Sequence, residues 1–396
     1  MQWSRRSSSV RDARFASPGR AAGGFSLIEL MVGIVIGLLA TLAVTQVMVA
    51  SEGQKRATSA GSDAQTNGAL ALNTLQRTLQ AAGYGFAAAP NLLGCTVSAV
   101  FNGAAYTSFM PQLAPVIITD GASGAPDTIR VFGSGKTSFS VPLRVVTPGY
   151  NPGISAQSQA FPVAAVRSVQ GPQNDSGGNP FLAGDLMVAS VSATPTTSCE
   201  VFQATDDPGA SVSVVREDDA AHWNKVGFPT QTYPADAVIV NLGQPVDVTF
   251  SINANNALAV RTLRIAANGT PTFDGPVELF PNVVQLQAFY GKDTTVPADG
   301  TVDAWDNTTP TTAAGWQQVT AIRIAVVAQS SQYERDEVTA SNPLWNVGSA
   351  IAIAGTVTCG SSKCLAMKVD TLTDWKHYRY RVFETIVPLR NMLWNN

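Results

Sequence analysis

From Phe25 to Ala50 the chain is almost wholly apolar, and Glu29 carries the only charge. At about 1.5 Å per helical residue such a run spans a hydrocarbon core of roughly 30 Å. A basic stretch ending at Arg20 precedes it, then Ala21-Ala22-Gly23-Gly24, and no basic residue follows until Lys55. That asymmetry orients the run with its N-terminus in the cytoplasm, and everything after about Ser51 outside that compartment. An ordinary secretory signal has a shorter apolar stretch and is cut after it. Here the small-residue site lies before it. A plain membrane anchor leaves Glu29 unexplained, because a carboxylate in such a segment costs about 2.5–3.5 kcal/mol on insertion scales.

Charge and cysteines bound the rest. Five arginines against one aspartate in the first 24 residues give that stretch a net +4, so its removal takes the chain from −3 to −7. An acidic mature chain is a poor electrostatic match for nucleic acid. Charged residues are only 13%, with abundant Gly, Ser, Thr, Ala and Val, which points to a β-rich exported protein. Cys95, Cys199, Cys359 and Cys364 allow three pairings in an exported chain. Cys359–Cys364, closing a Gly-Ser-Ser-Lys loop, with Cys95–Cys199 is the favoured set. No cysteine pair has the spacing of a zinc site, and neither His222 nor His377 lies near a cysteine in sequence.

The segment GFSLIELMVGIVIGLLATLAV resembles the N-terminal signature of type IV prepilins and type II secretion pseudopilins. The resemblance implies cleavage between Gly24 and Phe25 by a prepilin peptidase, and N-methylation of Phe25 by the same enzyme. It makes Glu29 the fifth mature residue, where that family has its glutamate. A free amine at Phe25 and a carboxylate at Glu29 both lie at the cytoplasmic edge, so an incoming subunit can pair its amine with a neighbour's acid and set register. Gly33 and Gly37 add a small-xxx-small spacing. Major pilins of the family carry a mid-helix proline about where Gln46 stands, so a straighter helix is expected.

Beyond the membrane, Ser51 to Thr66 tolerates helix, weakened by Gly53, Gly61 and Gly68. Leu72, Leu75 and Leu79 recur at helical spacing and should pack on a sheet, with Gly83-Tyr84-Gly85 as the stop. After Ala89 short β runs alternate with Gly, Pro, Asn and Asp turns. Strands are predicted at 115–119, 128–132, 138–146, 185–191, 200–204, 211–216, 237–241, 246–252, 258–266, 283–290, 319–328 and 378–387. The expected fold is α+β and pilin-like: a long N-terminal helix packed on a large antiparallel β head. The expected divisions are a cleaved leader 1–24, a transmembrane helix 25–50, an amphipathic helix 51–85 and the head 86–396.

Four further segments resemble PilW-type minor pilins: Leu72–Gly85, Val284–Gly291 with Asp299–Asp303, Val319–Ile324, and Tyr378–Asn391. The similarity is weak from about Leu92 to Pro281. Those pilins resemble the J-type pseudopilins of type II secretion. The resemblance implies a minor subunit in a tip complex that primes pilus assembly. It implies as partners the prepilin peptidase, other minor pilins, the major pilin and the inner-membrane assembly platform. The expected location is the inner membrane with the head in the periplasm, then the pilus or cell surface. The alternatives are a secretion pseudopilin and a pilus-borne adhesin using the loop-rich 92–281 region.

Other motifs carry less. Gly133-Ser134-Gly135-Lys136-Thr137 has Arg130 where a phosphate loop needs glycine, and a strand rather than a helix is expected after it, so it reads as a turn. Asp293, Asp299 and Asp303 scatter oxygen ligands, but Thr295 and Pro297 break a calcium spacing, and a solvated turn is the favoured reading. Asp206-Asp207 and Glu217-Asp218-Asp219 read as turn residues. A serine triad would have to recruit His222 or His377, and no G-x-S-x-G elbow occurs, so no catalysis, cofactor or metal is expected.

Overall fold

In the computed structural model the described residues are 24, 26–136, 141–166, 169, 173–174, 180–182, 184–191, 198–205, 212–218, 222–266 and 269–393. The chain divides into two compact units, residues 1–57 and 58–396. Helix α1 runs Leu27–Gln80 and is helical on both sides of Gln46. It ends five residues before the predicted limit. Ala81–Gly85 form turns, with Gly83 and Gly85 at φ +75° and +88°, conformations that a side chain disfavours. The first carbonyls past the helix are met from far away: Asn391 Nδ2 donates to Ala82 O at 2.9 Å.

Among the described residues of the head, seventeen strands pair into four sheets of three strands or more. In chain order they are β1 (Val97–Ser98), β2 (Val116–Thr119), β3 (Thr128–Gly133), β4 (Leu143–Arg144), β5 (Leu186–Ser190), β6 (Cys199–Gln203), β7 (Val238–Gly243), β8 (Val246–Ile252) and β9 (Ala257–Ile265). There follow β10 (Pro271–Pro281), β11 (Val283–Lys292), β12 (Ala304–Asp306), β13 (Val319–Gln329), β14 (Leu344–Gly348), β15 (Thr356–Cys359), β16 (Ser362–Ala366) and β17 (Tyr380–Pro388). Three two-stranded pairs lie in the connections. The first sheet has the order β1-β6-β5-β7-β4, the second β10-β9-β8-β3-β2, the third β12-β11-β13-β17, and the fourth β14-β16-β15. All pairs in these sheets are antiparallel except β1 with β6.

Strand β13 shows why its sequence is apolar throughout. Ile322, Ile324 and Val326 enter the main core, while Ala321, Ala325 and Val327 enter a second core on the other face, under Trp345 and Met367. Strand β5 is likewise covered twice: Leu186 and Val188 join the main core, and Met187 and Ala189 a third core around Tyr150, Phe161 and Tyr233. A strand buried on both faces loses the alternation of a half-exposed one.

The last turns of α1 enter the main core with Ala71, Leu75 and Leu79, all fully buried. Leu72, predicted to belong to this stripe, is only partly buried. Gly68 continues the buried face instead, and a Cβ there would sit 2.3 Å from the Phe383 ring of β17. The glycine that lowers helix propensity is thus the one that lets helix and strand touch.

Both disulfides join the favoured partners. Cys95–Cys199 sits at the parallel β1–β6 pairing, and Cys359–Cys364 closes the β15–β16 hairpin. Of the predicted strands, 138–146 is represented only by β4, with 137–140 outside the described residues. Strands β1, β10, β12, β14, β15 and β16 were not expected.

Gly68→Leu is expected to destabilise the head by about 1–3 kcal/mol through overpacking, with part of the loss recovered in Gly68→Leu/Phe383→Ala. Urea melts of the detergent-solubilised chain measure both. Loop-closure entropy ranks the disulfides: replacing Cys95 and Cys199, 104 residues apart, by serine should cost about 4–5 kcal/mol, against about 2 for the pair 5 residues apart. The same melts under oxidising conditions test the order.

Candidate functional site

The first turn of α1 is the most exposed concentration of unusual chemistry. Phe25 and the preceding leader lie outside the described residues. Gly24 is exposed, with nothing within 4 Å of a Cβ built on it. Ser26 precedes the helix, and its carbonyl accepts from Leu30 N at 3.1 Å. Glu29 lies in the first turn, where the unsatisfied amides and the positive end of the helix dipole favour a carboxylate. Ser26 and Glu29 also stand at the spacing of a capping box.

Leu27–Gly53 has a mean hydropathy of 2.5, and none of it is buried by the rest of the chain. Its length, about 40 Å at the helical rise, exceeds a hydrocarbon core. Its two threonine hydroxyls are satisfied within the helix: Thr41 Oγ1 donates to Leu38 O and Thr45 Oγ1 to Thr41 O, each at 2.9 Å. Gly33 and Gly37 have open space above them, so another helix can approach closely there. Up to Ala50, Glu29 is the one acidic side chain on this apolar surface.

The head's candidate motifs resolve into structure. Lys136 Nζ reaches Asp185 Oδ2 at 3.0 Å, and Asn241 Nδ2 reaches the same oxygen at 2.9 Å. Gly135 N donates to Leu242 O, and Ser134 Oγ to Asn241 O. These amides and the lysine are engaged within the fold rather than arrayed for phosphate; Thr137 lies outside the described residues. In the 293–303 loop, Asp303 Oδ2 accepts from the amides of Thr294 and Thr295 at 2.7 and 3.0 Å. The Thr294 amide is the main cause that holds its carboxyl below the ordinary range. Asp293 accepts from Thr295 N and Gly300 N, and Asp299 from Thr301 N. The aspartates therefore shape the loop's own turns. Asp293 is buried, which corrects the expectation of a solvated turn there. Among the described residues, no group of three or more His, Cys, Asp or Glu side chains is placed to hold a metal ion.

His377 donates from Nδ1 to Glu334 O at 2.8 Å and stacks on Tyr333, while His222 lies edge-on to Phe101. Asp218 pairs with buried Arg216 at 2.8 Å. Asp206, Asp207 and Asp219 lie outside the described residues.

Sequence reading missed the buried charges. Glu200 accepts from Thr230 N, Gln231 N and Tyr233 Oη at 2.8–3.0 Å. Asp127 is fully buried and takes the amides of Gly121 and Ala288 at 2.9 and 2.8 Å, tying the β2–β3 turn to β11. Burial outweighs those two donors and pushes its carboxyl up to about 7. No local motif marks it, since Ala288 lies 161 residues away.

The profile of the family described as Type IV Pilus-assembly protein W matches residues 249–391, and that of the prokaryotic N-terminal methylation motif residues 19–45. The first begins ahead of the region where the resemblance becomes clear, and neither includes Leu72–Gly85. No curated protein matches the chain. Among solved structures, a type IV-like pilin from Thermus thermophilus is similar at 10% identity over 83% of this chain and 97% of that one, with a TM-score of 0.30.

Between pH 4 and 7 folded Asp127 keeps a proton that the unfolded chain has released, so its contribution to stability falls as pH rises through that window and then levels. Urea midpoints of wild type and Asp127→Asn at pH 4 to 8 should converge or cross in that direction. A constant difference between the two would contradict it.

Proposed function

Because this chain belongs to the type IV minor pilin family and serves in pilus assembly, we propose that it is made as a prepilin, cut after Gly24, methylated on Phe25 and inserted through α1 into a bundle of like helices. The apolar helix and the methylation motif anchor it in a membrane. The observation that carries the proposal is the lone acid of Glu29 in the apolar, uncovered part of α1 up to Ala50. Its partner is the new N-terminal amine of Phe25 on a neighbouring subunit. Two isolated charges then become one hydrogen-bonded pair, which fixes axial register while the apolar surfaces supply contact.

The proposal places the N-terminus in the cytoplasm and the head in the periplasm before assembly, then at the fibre tip. The peptidase, the other pilins and the assembly platform are its partners. Its role is structural rather than catalytic. The matched family is described as one of pilus assembly, which supports this reading over a secretion pseudopilin.

Gly24→Ala should leave the full precursor uncut, whereas Glu29→Ala should be cut normally and yet leave few pili. N-terminal sequencing of membrane-extracted protein and piliation counts test the two. Mature-size protein from the first variant, or normal piliation with the second, would overturn the assigned roles.

A further inference from the structure

Sheet edges expose rows of unpaired amides and carbonyls, and folded proteins close or blunt them. Five of the six edges of the three larger sheets are treated in this way. On β1, Val97 N donates to Pro111 O. On β4, Arg144 O accepts from Ala164 N. On β2, Ile118 N donates to Tyr290 Oη at 2.7 Å, and Ile118 O accepts from Thr309 Oγ1 at 3.2 Å. On β12, Trp305 N and O bond to Ala350 and Ala352. Strand β10 is long and exposed, but Pro271, Pro276 and Pro281 delete donors and Asp274 and Glu278 add charge.

Strand β17 is different. Leu389 N donates to Thr320 O, and Ser330 N to Arg379 O, in one register with the Ala321↔Pro388 to Gln329↔Tyr380 ladder. Bonded and non-bonded pairs alternate in an antiparallel ladder. Arg381, Phe383, Thr385 and Val387 therefore bond inward to β13, and the amides of Tyr380, Val382, Glu384 and Ile386 point outward. Among the described residues those four amides have no partner. No proline interrupts the strand before Pro388, and Ile386 is 52% exposed. Arg381 lies over the Phe383 ring and has no carboxylate partner among the described residues.

We propose that the open edge of β17 takes up an extended strand from another pilin subunit, one that sets a carboxylate beside Arg381. The inference rests on the assembly reading and names its contact surface. Its occupant follows from position and charge. Phe383 of this strand packs on Gly68 of α1, so the edge lies beside the helix that enters the bundle, and the unpaired cation favours an acidic strand.

The test uses the full-length chain, co-expressed with the major and minor pilins of its own organism and purified in detergent. Ile386→Pro removes one outward amide without touching the β13 ladder, whereas Ile386→Thr keeps it. The proline variant should co-purify about tenfold less pilin, and the threonine variant as much as wild type. Hydrogen exchange on the wild-type chain guards against misfolding of the variant: the amides of 380, 382, 384 and 386 should slow when the other pilins are bound. Wild-type recovery with Ile386→Pro, or unchanged exchange at these amides, overturns the edge contact. Deletion of the whole chain separates the two readings. If deletion abolishes pili and the proline variant restores them with full recovery of partners, only the edge contact falls; if deletion leaves pili intact, both fall.

Discussion

Burial of the last turns of α1 in the main core is the contact on which the head depends. Ala71, Leu75 and Leu79 belong to one continuous cluster with side chains from all three larger sheets. Without the helix, the facing sides of these sheets would share a void in place of three buried side chains, and such voids are costly in a close-packed interior. The same helix is apolar all round from Leu27 to Gly53 and has one buried face further on. Two surroundings, lipid and protein, are thus written into one element by a change of pattern rather than by a break.

The head settles its charges with unusual thoroughness. Arg130 pairs with fully buried Asp247, Lys136 with Asp185, and Glu200 with amides and a tyrosine hydroxyl. Buried charges left unpaired would each cost several kcal/mol, so such closure is a condition of the fold. Against that background the groups left open are informative. Among the groups left open are Glu29 at one end of the long helix and the outward amides of β17 with Arg381 beside them. Both lie on elements that pack together through Gly68 and Phe383, or continue from them.

Legibility followed the physics of each element. The apolar runs of β5, β11 and β13 announced strands because both faces are covered. Strand β10 was missed because three prolines and two acids look like a loop, and only an edge position tolerates them. The β14–β16 sheet was missed because its strands are short, lie between Gly- and Ser-containing turns, and gain order from each other and from Cys359–Cys364. In α1 the leucines were visible, but the close approach is made by Gly68, which propensity alone counts as a weakness. Asp127 and Glu200 carried no signal, since their partners come from distant or irregular segments. The apolar N-terminal helix was legible because membrane insertion depends on composition over a contiguous run, with no tertiary contact needed.

The magnitudes around Glu29 argue for a partner outside the chain. A carboxylate at mid-membrane depth costs about 2.5–3.5 kcal/mol, an upper bound for a residue in the first turn. The helix dipole returns about 0.3–1 kcal/mol at an exposed terminus. This intrahelical term eases the cost of the acid, but it holds equally well in a lone subunit and in an assembly. Register requires a term that exists only between subunits. A cationic amine supplies one, because a charge-assisted pair is short and directional, whereas apolar helices slide past one another in lipid with little preference. In the proposed assembly, therefore, the acid near the helix start is the positional marker, and the apolar length behind it the surface that the marker aligns.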